Sequence, residues 1–163
     1  MWAIIVGYSK NVIAQWCLAP EYLFCYTMGS LSHSAQVGPH LKLAEIRHVG
    51  NHGVGLVSAA LADKPIVKAA MHVRARMLSR MPRPWDEKFY HAIRNAPGLF
   101  EMKWKADGRQ WRISGYDYEG YFVMLLLFSH KQNTYTPHGW LKISKRNHID
   151  ACAGHYDIVK YTF

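Results

Sequence analysis

Residues 100–112, FEMKWKADGRQWR, constrain this chain most, because they specify a β-hairpin together with its register. Asp107-Gly108 is a two-residue turn of the kind that closes tight hairpins, since glycine tolerates the positive φ such turns require. Setting Ala106 opposite Arg109 places Lys105 opposite Gln110, Trp104 opposite Trp111, Lys103 opposite Arg112 and Met102 opposite Ile113. Strand side chains alternate between faces. One face therefore presents Met102, Trp104, Trp111 and Ile113, as a core face would. The other presents Lys103, Lys105 and Arg112, with like charges across the strands at a cost of about a few tenths of a kcal/mol. A local cost without a local gain points to an anionic visitor. A solvated face of ordinary surface cations accounts for the same pattern.

The chain has 163 residues, enough for one domain with a real core. Its net charge of +9 suits a phosphate-rich or acidic partner. The excess lies mostly in the second half: residues 71–163 carry fifteen basic and eight acidic residues, against five and three in residues 1–70. Cys17, Cys25 and Cys152 form neither a disulfide framework nor a CxxC pair, so a reducing cytoplasm is the expected compartment. His48 and His52 are four apart, but Gly50 and Gly53 argue against a helix there and no carboxylate pair accompanies them. No metal and no cofactor are expected.

Residues 1–40 read as an extension of unknown role, with apolar runs at 2–7 and 11–28 and a Ser/Gly/His-rich linker at 29–39. No stretch reaches the ~18 uncharged apolar residues of a membrane span, and a basic leader is not evident. The domain proper is expected over 41–163. It opens with a strand near 41–49, a loop at 51–55 and a helix over 54–61. Pro65 then begins a second helix, where Ile66, Ala70, Val73, Met77 and Met81 recur at helical spacing. Its other side carries Lys68, Arg74, Arg76 and Arg80, for which a solvated face is the simpler reading. Residues 82–84 end the helix. Residues 85–97 read as a connection with a helical turn around 89–93. After the hairpin, 116–120 reads as a turn and 121–128, YFVMLLLF, as a strand covered on both faces. Tyr135-Thr136-Pro137 opens a final helical segment running to about Ala153.

In order and wording these parts resemble the RelE/HigB-type toxins of toxin–antitoxin systems, in particular the phage-derived HigB-like branch. Residues 97–102, PGLFEM, are similar to that family's GLYELR stretch; 107–113, DGRQWRI, to its DG..YRV; 122–131 to its VLLHGF.KK; and Thr136-Pro137 to its terminal KTP. The resemblance covers roughly residues 42–150. It implies an α+β fold: two N-terminal helices packed on a small, mostly antiparallel sheet, with a C-terminal helical segment. It also implies a metal-independent endoribonuclease acting on mRNA, usually on the ribosome, and neutralised by a cognate antitoxin. Carried over by position, Arg112 matches the arginine at the scissile phosphate, and Lys103 and Lys105 match the preceding basic pair. His130 and Lys131 fall at the basic end of the last strand, and Tyr135 lies near a catalytic tyrosine of some members. Arg109, Lys131, Arg76, Arg80, Lys142, Lys145 and Arg146 are the remaining RNA-binding candidates. The chain departs from the pattern at residues 127–131, which read LFSHK where the family has GF.KK, at one extra residue before Thr136, and at Tyr135, where a lysine is usual.

RNA cleavage by the 2′-hydroxyl needs in-line positioning, cations for charge developing on the phosphate, and proton transfer at both ends. Arginine's planar fork suits the phosphate. A lysine among cations can act as a base, and His130 or Tyr135 can move a proton. Trp104 and Trp111 face the core in this register, so Tyr116 or Tyr118 are the better candidates for stacking a base. Two other readings use the same residues: a non-catalytic inhibitor of the ParE kind, and a basic protein that only binds nucleic acid.

Overall fold

The structure is a computed structural model that describes residues 41–162. The expectations for residues 1–40 lie outside the described residues. β1 (Lys42–His48) leads into two helices, α1 (Leu56–Leu61) and α2 (Pro65–Ser79). A short strand β2 (Tyr90–Ala92) precedes the long antiparallel strands β3 (Phe100–Ala106), β4 (Arg109–Tyr118) and β5 (Tyr121–Lys131). β6 (Thr134–Thr136), helix α3 (Trp140–Cys152) and β7 (Tyr156–Lys160) complete the order. All seven strands join one sheet in the order β2-β3-β4-β5-β1-β7, with β6 paired to β5.

The hairpin forms in the expected register, from Ala106 opposite Arg109 to Met102 opposite Ile113. Asp107 and Gly108 both take positive φ, 49° and 64°, which matches the twist of the flanking strands. Glu119-Gly120 and Gln132-Asn133 repeat the device at the next two hairpins.

The expected fold is overturned. The described residues form a mixed α/β arrangement of seven strands and three helices, not a small, mostly antiparallel sheet ending in a helical segment. β1 lies inside the sheet, next to its β7 edge, parallel to β5 on one side and antiparallel to β7 on the other. Residues 43–46 are buried on both faces, which an edge strand would not need. The expected helical turn at 89–93 is instead β2. Tyr90 stacks on Phe100 at 5.5 Å and meets Trp85 and Phe122 edge-on, and that packing outweighs local helical spacing. Helix α3 stops at Gly154, with φ 78°, and residues 156–160 return as β7 beside β1.

Two apolar layers cover the sheet. On one face α1 and α2 bury Val57, Leu61, Met71, Ala75 and Leu78 against Met102, Trp104, Trp111, Ile113 and Phe122. On the other, Val123, Leu125, Ile46 and Tyr116 pack toward α3. β5 contributes to both, as its unbroken apolar run requires. Among the described residues, no helix is long and apolar enough to cross a membrane.

Gly115 sits where the β4–β5 register shifts. A Cβ there would lie 2.4 Å from the Val123 carbonyl oxygen and 2.6 Å from the Phe122 ring. The backbone oxygen cannot move aside without breaking the ladder. Gly115→Ala is expected to destabilise the fold by about 1–3 kcal/mol, seen as a lower urea midpoint.

His148 on α3 lies against Tyr116, ring centroids 4.5 Å apart. Burial holds its pKa below the ordinary 6.5. The unfolded chain therefore binds a proton at a higher pH than the folded one. Its contribution to stability is full above about pH 6.5 and is lost as pH falls below that value. His72 is shifted in the same direction, by burial and then by Lys68 and Arg76. The urea midpoint is expected to drop between pH 7.5 and 5.5, and His148→Phe should reduce that drop.

Candidate nucleic-acid interface

The sheet face carrying Lys103 and Arg112 is the one on which α3 begins. Alternation brings Glu101, Lys103 and Lys105 of β3 and Gln110, Arg112 and Ser114 of β4 to this side. β5 adds Phe128 opposite Arg112 and His130 opposite Gln110, and β6 adds Tyr135 opposite His130. Trp140 of α3 stacks on Phe128 at 4.2 Å, and Ser144 shares a buried 2.6 Å hydrogen bond with Ser114.

At the centre is an ion pair. Arg112 Nη1 donates to Glu101 Oε1 at 2.5 Å, while Nη2 donates to Gln110 Oε1 at 3.2 Å. His91 Nε2 on β2 lies 2.9 Å from the same Glu101 oxygen. The Glu101 side chain is 2% exposed and that of Arg112 15%. Among the described residues, Glu101 Oε2, Arg112 Nε and His91 Nδ1 are buried without hydrogen-bond partners. The guanidinium carbon of Arg112 lies 5.6 Å from the Tyr135 ring centroid.

Lys103 is half-buried across the strands from Arg112. Burial holds its pKa below the usual lysine range; Arg112 adds to this effect, and Glu101, Glu87 and Asp86 oppose it. Lys105 is exposed one pair further toward the turn, opposite Gln110. Thus Lys103 and Arg112 are direct neighbours and Lys105 extends their charge outward. The expectation of an unbalanced cationic face needs correcting: Glu101 compensates Arg112, so the cross-strand repulsion is smaller than the lysines and arginine alone imply.

The other expected residues divide by layer. Arg109 is exposed at the hairpin tip and Lys131 at the end of β5. Lys142, Lys145 and Arg146 are exposed on α3, the helix of this face, with Arg146 Nε 3.6 Å from Asp150. Arg76 is on α2 and Arg80 caps its C-terminal end; α2 packs on the opposite face, so they do not join Arg112. Trp104 and Trp111 are buried in the core as expected. Tyr116 is only 7% exposed, and Tyr118 lies at the far end of β4; neither stands beside Arg112.

Sequence reasoning missed Glu101 and His91 as members of the site. The signal for Glu101 was present, because it shares the parity of Lys103 and Lys105. His91 carried none, since the segment around it read as a helical turn. Comparison with protein-family models, with curated proteins and with solved structures gives no match.

Proposed function

We propose that this protein is a metal-independent endoribonuclease of mRNA, acting in the cytoplasm as a ribosome-associated toxin restrained by a cognate antitoxin. The toxin, ribosome and antitoxin parts of this reading rest on the sequence resemblance. The nuclease part is supported by one observation: Arg112 is held in a fixed orientation by buried Glu101, beside a lysine whose pKa is depressed. A guanidinium fixed in advance can stabilise charge developing on a phosphate without reorganising in the transition state. One hydrogen on each Arg112 terminal nitrogen is committed, and the second on each remains to meet phosphate oxygens. The 2′-hydroxyl attacks the adjacent phosphorus, the phosphorus–O5′ bond breaks, and a 2′,3′-cyclic phosphate and a 5′-hydroxyl result. Lys103, in its neutral form, accepts the 2′-hydroxyl proton. His130, across the strand from Gln110, returns a proton to the leaving oxygen.

One observation favours a second reading, an inhibitor or RNA binder without catalysis: the Arg112 charge is already balanced by Glu101. Expression of the chain in cells separates the two. The nuclease reading expects growth arrest with new RNA 5′ ends, and relief of both by Arg112→Ala. Arrest with DNA damage and no new RNA ends would support a gyrase-type inhibitor. Salt-dependent RNA binding with neither arrest nor cleavage would support a simple binder.

A further inference from the structure

The sheet ends at β7, which pairs with β1 and with no other strand among the described residues. Two bonds that flank this ladder fix its polarity. Val49 N–H donates to His155 O at 3.5 Å, and Tyr161 N–H donates to Leu43 O at 3.0 Å. In an antiparallel pair such bonds recur at every second residue. Asp157 and Val159 therefore direct their N–H and C=O groups at β1, while Tyr156, Ile158 and Lys160 direct theirs off the sheet. Side chains alternate on the same period. Ile158 lies opposite Ile46, so it shares the α3 face with Tyr156, which packs on that apolar layer. The layer thus runs out to the edge, where Ile158 is 40% exposed. No proline interrupts β7 to block further pairing.

We propose that this edge pairs with the same edge of a second copy of the chain, β7 against β7, about a two-fold axis that passes through Ile158 perpendicular to the sheet. The strand YDIVK is self-complementary under that operation, as a two-fold interface requires. Ile158 meets Ile158, Tyr156 meets Lys160, and Asp157 meets Val159, so no like charges stand directly opposite each other. The residues whose polar groups point outward are also the ones that meet, and each such pair exchanges both of its main-chain hydrogen bonds. Lys160 opposite a tyrosine ring gains a cation–π contact. Asp157 keeps Arg47 of its own chain, 3.2 Å away. Because the axis is perpendicular to the sheet, both α3 faces, and with them both Arg112 side chains, lie on the same side of the joint sheet.

The test measures the mass of the full chain by sedimentation equilibrium, with thermal melting of each variant alongside. The wild type is expected to be a dimer at high micromolar concentration. Ile158→Lys and Ile158→Glu change an exposed side chain and should melt as the wild type does. Each sets like charges against each other at the axis, and should weaken association roughly tenfold or more. An equimolar mixture of the two should dimerise again, because the axis then sets an ammonium group against a carboxylate. Ile158→Pro gives an independent check: it removes an N–H that points away from β1, so it should keep the fold and lose the dimer. A wild-type monomer would overturn the pairing and leave the edge to another segment of the chain or to another protein. A dimer that survives Ile158→Lys, or a mixture that does not recover, would overturn it as well.

Discussion

Glu101→Ala is expected to destabilise the protein by about 3–5 kcal/mol, the usual consequence of removing one partner from a buried ion pair. The wild-type carboxylate is 2% exposed and meets both Arg112 and His91 through a single oxygen. Without it, a guanidinium that is 15% exposed keeps its charge, retains Gln110 Oε1 as a hydrogen-bond acceptor, and faces Lys103 across the strands. Arginine cannot escape by losing its proton. The loss should be read as a lower urea midpoint. Replacing both partners, Glu101→Leu with Arg112→Met, should recover most of the stability, because an apolar pair of similar volume costs no ion desolvation. That double variant should nevertheless be inactive. A pair kept only for stability would show the first result without the second.

Arg112→Lys is expected to reduce RNA cleavage roughly 10²–10³-fold while disturbing stability less than Glu101→Ala. Lysine keeps the positive charge near Glu101 but lacks the fork that meets a carboxylate and a phosphate together. Charge alone is therefore predicted to be insufficient. Growth arrest and new RNA 5′ ends, measured alongside thermal melting, check it. Full activity in Arg112→Lys would mean that Arg112 supplies only general positive potential.

The parts legible from the sequence are those whose partners lie close along the chain. Asp107-Gly108 dictated the hairpin and its register, and helical spacing over residues 66–81 marked α2 but not its buried face: Ile66 and Val73 of that period are exposed, and Val67, Met71, Ala75 and Leu78 face the sheet instead. The YFVMLLLF run marked a strand covered on both sides. Sheet order is a different kind of information. That β1 runs parallel to β5, and that residues 156–160 return beside β1, depends on contacts between segments tens of residues apart, and no local period encodes them. β2 was hidden for a related reason, since its strand state is sustained by Tyr90 packing on Trp85, Phe100 and Phe122. The site followed the same division. Lys103 and Arg112 were readable as cross-strand neighbours. The Glu101–Arg112 pair was not, because it joins residues that are not directly opposite, and His91 depended on β2 being present.

The central claim is that Arg112, held by Glu101 beside Lys103, grips an RNA phosphodiester while its own 2′-hydroxyl attacks. The chemistry of the RNA ends produced in cells expressing the chain tests it most directly. The account predicts new 5′ ends bearing hydroxyl groups, paired with 2′,3′-cyclic phosphates, and their loss in Arg112→Ala. New ends bearing 5′-phosphates, or 5′-hydroxyl ends undiminished in Arg112→Ala, would contradict it.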